Sequence, residues 1–270
     1  MKSFKSIGFE LELFLTKGQL FQPTNPLTIY NAEAELSRIL GFNINAATEG
    51  GKGGSLFIHN FGNQTLTTDG TPVEFSCFLD VGGKNWNGSG LHYLIDTHSH
   101  WINRIGNSLL KDFKLNDSAC FESSHYVKFN NPHAAYASNK TIHNAYTGES
   151  FIQDEKEEDK EVTRRTAGLH IHFELNKSRY GNPVTEKSIT DKIIKSFDDI
   201  YYNNYFSSTF QSIGYERRDA LTPKGLYRIK NQANGVITLE YRQPTTKMFF
   251  NKSIYGFLVA ADEAVSKILR

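Results

Sequence analysis

Carboxylate and imidazole side chains recur two residues apart in this 270-residue chain, in segments whose intervening residues are apolar. In Gly8-Phe9-Glu10-Leu11-Glu12-Leu13, an extended backbone puts Glu10 and Glu12 on one side and Phe9, Leu11 and Leu13 on the other, because successive strand side chains point to opposite faces. Leu169-His170-Ile171-His172-Phe173-Glu174 repeats the pattern with His170, His172 and Glu174. Leu239-Glu240-Tyr241-Arg242 pairs Glu240 with Arg242. Asp69-Gly70 reads as a turn, and Glu74 follows between Val73 and Phe75. Taken singly, each segment is what an edge strand with one wet face would show, and His-x-His alone is as readily a pair of hydrogen-bonded imidazoles. Taken together, they gather like charges that need a cation between them. A donor set rich in Glu, with imidazole in the minority and no Cys, suits Mg²⁺ or Mn²⁺ better than structural zinc.

Arginine completes the chemistry, since its planar fork pairs with carboxylate or phosphate oxygens. Arg242 shares a face with Glu240, and Arg228 ends Gly225-Leu226-Tyr227-Arg228. Arg217 and Arg218, in Tyr215-Glu216-Arg217-Arg218, offer a phosphate clamp or equally a surface charge. The run Gly50-Gly51-Lys52-Gly53-Gly54 is not a Walker loop, because its spacing and the residue after Lys52 are wrong. Its amides and Lys52 can still cradle phosphate, and a plain glycine turn is the bland alternative.

The elements that must position these groups follow from periodicity. Residues 4–15 read as a strand, 31–40 as a short helix capped by Asn31 and ended by Gly41, and 56–61 with 64–79 as a strand pair around Gly62-Asn63. Apolar residues at helical spacing predict long helices over about 90–112, 185–206 and 251–269. Further strands are expected near 119–129, 167–176 and 235–242, and 125–148, with His125, His133 and His143, reads as a long loop over the site. The mixed charge run 154–161 reads as a solvated loop. Without a repeat or a clear linker, residues 1–270 are expected to form a single α+β domain.

Composition narrows the partners. Apolar residues make up 39% and charged residues 22%, ordinary for a globular protein. The 20 Phe and 13 Tyr favour a sheet-rich fold. A net charge of +1 gives no overall field for nucleic acid. Two cysteines are too few for a disulfide framework, which points to a reducing cytoplasm. No apolar run reaches membrane-spanning length and no signal-peptide core opens the chain.

The order Glu-x-Glu, Asp-Gly…Glu, Gly-x-His-x-His, Tyr-Arg, Glu-x-Arg, running from Gly8 to Pro244, resembles the glutamine synthetase-like superfamily, and more narrowly its phage-type carboxylate–amine ligases, or amidoligases. The resemblance implies a curved antiparallel sheet with helices on its convex side and the site on its concave side. It implies an ATP-dependent reaction in which a carboxylate is phosphorylated and an amine then displaces phosphate, with Mg²⁺ or Mn²⁺ on the phosphates. It implies metal ligation by Glu10, Glu12, Glu74 and Glu240, with Asp69 a weaker candidate. One of His170 and His172 would serve the metal, for which His170 is the first choice, and the other would hold nucleotide or substrate. Arg242, Arg228 and Arg218 would act on the transferring group, and Lys52 and Arg217 on the nucleotide. The partners implied are small-molecule or peptide carboxylates and amines, in the cytoplasm of the cell or of a phage host. The resemblance does not extend to the small N-terminal domain or the ammonia-site signatures of glutamine synthetases, so the expectation is the reaction class, not glutamine synthesis, and a homo-oligomer is left open. Two other readings stand beside it: a cupin-like metal hydrolase or oxygenase built on His170 and His172, and a non-catalytic protein that keeps a ligase fold.

Overall fold

A computed structural model describes residues 3–17, 27–41, 56–59, 64–68, 72–81, 89–116, 120–122, 127–129, 140–153, 164–176, 182–206, 224–231 and 236–270. The central element is β1, Phe4–Lys17, a 14-residue strand. Its first part is flanked by β5 (Val73–Asp80) and β12 (Leu169–Leu175), both antiparallel to it. Outward from β12 come β14 (Ile237–Tyr241), β13 (Leu226–Asn231), β9 (Lys140–Asn144) and β10 (Ser150–Gln153). Outward from β5 come β4 (Gln64–Thr68) and β3 (Leu56–His59). The far end of β1 pairs with β2 (Leu27–Tyr30) and β6 (Lys114–Asn116), and β8 (Val127–Phe129) adds to β2, for 12 strands in all. This sheet is open, with β10 and β3 at its two ends. A separate pair joins β7 (Cys120–Glu122) to β11 (Arg164–Thr166).

Helices cover one face of the sheet: α2 (Ser89–Ser108), α3 (Lys187–Asn204), the short α4 (Lys247–Phe250) and α5 (Ile254–Ile268). The strands reach them through rings. Phe75 packs edge-on against Trp101 at 5.3 Å, Phe9 against Phe249 at 5.3 Å, and Phe173 against Phe197 at 4.9 Å. Tyr241 stacks on Phe257 at 5.8 Å. Phe9, Leu11, Leu13, Leu169, Ile171, Phe173, Leu239 and Tyr241, the apolar halves of the alternating segments, are all in this core and at most 1% exposed. Burying such side chains contributes roughly 1.5–3 kcal/mol each, so the alternation fixes which way every strand faces. The remaining helix α1, Ala32–Leu40, is capped by the Asn31 side chain on the Ala34 amide and ended by Gly41 at φ 73°. Glycine takes that left-handed conformation without a Cβ clash.

Four expectations change. Residues 64–79 are not one strand but β4 and β5, and the expected strand at 119–129 is two short ones, β7 and β8. The loop expected over 125–148 includes β8 and β9, the latter an integral strand paired with β13. The last helix begins at Ile254 rather than 251, where Lys252 adopts φ 65° and separates α4 from α5. Residues 154–161 lie outside the described set. Among the described residues no helix is long and apolar enough to cross a membrane.

Candidate functional site

The polar halves of the alternating strands meet on the face opposite the helices. Cross-strand register does the positioning. Glu10 stands opposite His170 on one side and Ser76 on the other, and Glu12 stands opposite Glu74. His172 pairs with Glu240, which pairs in turn with Arg228. Directly opposed residues hold their Cβ atoms about 4.5–5.5 Å apart, so five strands bring these side chains into one cluster.

The cluster is buried and strongly charged. Glu10 Oε2 lies 3.2 Å from His172 Nε2 and 3.6 Å from His170 Nδ1. His170 also approaches Glu12 at 3.8 Å and Glu240 at 3.7 Å. Glu240, 0% exposed, accepts from Arg228 Nε at 2.6 Å and from Arg242 Nη1 at 2.5 Å, and Arg228 Nη2 also contacts it. Burial pushes the Glu240 pKa up, but Arg242, His172 and Arg228 more than offset it and hold the carboxyl well below its usual range, against a smaller upward push from Glu10. Glu74 is 2% exposed and accepts from the Ser76 hydroxyl at 3.0 Å and the Thr67 hydroxyl at 3.3 Å.

Two features face toward something other than protein. Glu10, His172 and Glu240 each offer a ligand atom, and these atoms lie within 4.8 Å of one another. Both His172 ring nitrogens and Arg228 Nη1 are buried without a hydrogen bond among the described residues. Nε2 of His172 is near Glu10 but not aligned to bond it. A buried, unsatisfied polar nitrogen costs roughly 1–3 kcal/mol, so such groups in a cleft mark where a ligand belongs. A cavity of about 510 Å³ is lined by Glu10 and His172 together with Lys230, Lys5, Asp80 and Phe78, while Glu240 and Arg228 lie behind its wall.

The sequence-selected residues therefore divide. Glu10, Glu12, Glu74, His170, His172, Glu240, Arg228 and Arg242 converge. Of the two imidazoles, His172 completes the three-ligand set with Glu10 and Glu240, while His170 sits among Glu10, Glu12 and Glu240. Lys52, Asp69, Arg217 and Arg218 lie outside the described residues. Sequence reasoning passed over Lys230, whose Nζ is 2.9 Å from Glu10 Oε1, and Ser76 and Thr67 on Glu74. Lys230 carried a readable signal: Arg228 and Lys230 are two apart on β13 and share a face by the alternation that was applied to the carboxylates. It also passed over Lys5 and Ser6, which hold Glu174 at 2.8 and 2.7 Å at the cavity's other end. Comparison with protein-family models, with curated proteins and with solved structures returns no match.

Proposed function

We propose that the protein is an ATP-dependent ligase that forms an amide between a carboxylate and an amine, with Mg²⁺ or Mn²⁺ on the polar face of a glutamine synthetase-like sheet. The observation that carries the reading is a metal-capable set, Glu10, His172 and Glu240, placed directly beside Arg228, whose Nη1 is buried and unpartnered. Metal ligands alone fit many chemistries. Metal ligands with a buried, unpartnered guanidinium nitrogen on one of them fit a phosphorylated substrate.

The residues fit the ion. Two carboxylates and one imidazole make a mostly hard donor set. The metal, when bound, would neutralise charge on the phosphates during transfer. In the proposed reaction a substrate carboxylate oxygen bonds to the terminal phosphorus of ATP and ADP leaves. The amine nitrogen then bonds to the acyl carbon, the bond from carbon to the phosphoryl oxygen breaks, inorganic phosphate departs, and the amine gives up a proton. Arg228 is already oriented by the Glu240 carboxylate, so its buried Nη1 needs no further ordering to meet the transferring group, and Arg242 on the same carboxylate would add a second positive charge there. A second cation, if the reaction uses one, would fall near Glu12, which stands opposite Glu74 and 3.8 Å from His170, although these residues do not form a ligand set like that of Glu10, His172 and Glu240.

The test is a screen of carboxylate and amine pairs with ATP and Mg²⁺, following ADP release and product mass together. The expected product is lighter than the sum of its two substrates by one water, formed in step with ADP. Product formed without ATP rejects the ligase and favours a metal-dependent enzyme of another class.

A further inference from the structure

We propose that Lys230 is a tethered counter-cation for Glu10, displaced when a divalent ion enters the Glu10–His172–Glu240 set and then turned toward an anionic oxygen in the adjoining cavity, so that metal and anion bind cooperatively. The inference rests on the metal reading above and concerns a lysine that reading does not use.

Glu10 divides its two oxygens. Oε2 faces the imidazoles of His172 and His170, and Oε1 accepts from Lys230 Nζ at 2.9 Å. A metal bound to Glu10 would therefore meet an ammonium already on the same carboxylate. Two cations on one buried carboxylate repel, since Coulomb energies grow as the effective dielectric falls. One of them has to move, and the neighbouring strand positions show which side chain can. Arg228 and Lys230 sit on one face of β13. The Arg228 side chain is 8% exposed and held by two of its nitrogens on Glu240. The Lys230 side chain is 26% exposed and lines the cavity. Lysine is a compact charge on a flexible four-carbon stem, whereas arginine is a rigid fork. Lys230 is thus the member of the pair free to swing.

Released from Glu10, its ammonium has an anion as its natural partner, phosphoryl or carboxylate, within reach of the cavity. The consequence is reciprocal: metal raises anion affinity, and the anion raises metal affinity by the same factor. In the absence of both ligands the lysine keeps Glu10 neutralised, so the site does not depend on a metal to be folded.

Mn²⁺ binding to the purified protein is measured by calorimetry, alone and with inorganic phosphate or acetate present. Lys230→Met is expected to bind Mn²⁺ about tenfold more tightly than wild type without anion, within the 5–150-fold range of site-to-site coupling. In wild type, phosphate raises Mn²⁺ affinity if the partner is phosphoryl, and acetate does so if it is carboxylate. In Lys230→Met neither has an effect. Lys230→Arg keeps the charge but puts a rigid fork on Glu10 in place of the flexible ammonium, so it is expected to bind Mn²⁺ no more tightly than wild type and to lose most of the anion effect. Lys5→Met removes a lysine of the same cavity that pairs with Glu174 rather than Glu10, and leaves Mn²⁺ affinity within about twofold if coupling requires shared contacts. Melting curves establish that each variant is folded. Wild-type protein that binds no Mn²⁺ overturns the metal reading itself. Wild-type protein that binds Mn²⁺ with the same affinity as Lys230→Met overturns the role of Lys230 alone.

Discussion

Glu240 and Asp198 are both buried carboxylates, 0% and 1% exposed, and they lie on opposite sides of the same strand. Glu240 points to the polar face. Its neighbour Tyr241 points to the helices, where its hydroxyl donates to Asp198 Oδ1 at 2.8 Å from the end of β14 to the middle of α3. The two environments act in opposite directions. Glu240 is held ionised by Arg242, His172 and Arg228 against the cost of burial. At Asp198 burial dominates, the Tyr241 hydroxyl only partly offsets it, and the pKa rises to about 6. Depth is the same in both, so depth does not decide ionisation. What decides it is how closely cations stand: two guanidiniums bond Glu240, whereas Lys224 is the weakest of the groups that pull Asp198 down. The face with cations is organised for charge that arrives with a ligand. The helix face tolerates one acid as part of its packing.

The comparison breaks first at Arg242. On the ligase reading, Arg242→Ala removes a charge poised for the transferring phosphoryl group. Losing a preorganised group of this kind commonly lowers rate by about 10²–10³, or roughly 3–4 kcal/mol. The fold survives, because the Arg242 side chain is 21% exposed and Arg228 still neutralises Glu240. Amide formation and ADP release fall together while melting temperature changes little. Wild-type turnover in this variant removes Arg242 from the catalytic set. Replacing Asp198, by contrast, leaves turnover intact, since it faces away from the site.

The polar face was largely legible because strand geometry has period two. Glu10 with Glu12, His170 with His172, and Glu240 with Arg242 could be assigned to one side from the apolar residues between them, and those residues are indeed buried. What spacing could not supply was register. That Glu12 lies opposite Glu74, or His172 opposite Glu240, depends on pairings between strands far apart in sequence. In β9, Lys140-Thr141-Ile142-His143-Asn144 has a single large apolar residue and so no periodic signal of a strand; pairing with β10 and β13 makes it one. Asp198 was invisible for a related reason. On an amphipathic helix an acid reads as solvent-facing, and its burial is decided by a tyrosine some 43 residues on, in another element.

The second prediction uses the pH dependence of the two acids. Asp198 has a folded pKa raised above its ordinary value of 3.8 to about 6, so the folded state takes up a proton more readily than the unfolded state. Its ionisation therefore destabilises the fold above pH 6, and stability recovers as pH falls from 6 toward 4. Glu240 has the opposite sign. Its contribution is present above the ordinary value of 4.5 and is lost as pH falls through its own, lower pKa. Asp198→Asn removes the first effect only. The unfolding free energy of the variant relative to wild type should shift by about 2 kcal/mol between pH 7 and pH 4, somewhat less than the full shift of roughly two pKa units at 1.36 kcal/mol each because an unfolded aspartate is already partly protonated at pH 4. Using the pH-dependent difference cancels any fixed cost of an imperfect Asn hydrogen bond. Denaturant unfolding at the two pH values measures it, and parallel stability curves would show that Asp198 is not perturbed.

Glu74 sharpens the comparison from between its two extremes. It is nearly as buried as Glu240, and two of its donors are neutral hydroxyls, Ser76 Oγ at 3.0 Å and Thr67 Oγ1 at 3.3 Å. A hydroxyl supplies a dipole and not a charge, so each should matter less than a guanidinium. Ser76→Ala is expected to lower stability by about 1 kcal/mol, the net worth of one hydrogen bond. Thr67→Val keeps the side-chain volume and removes the longer bond, so it should cost less than Ser76→Ala. The ordering follows from the two distances and is read from paired denaturant midpoints at pH 7. If metal sits between Glu74 and Glu12, saturating Mn²⁺ should shrink both costs, because a bound cation stabilises the carboxylate whether or not the hydroxyls remain. Costs that stay the same with and without Mn²⁺ would place Glu74 outside the metal's reach and leave it as a hydroxyl-held acid of the sheet.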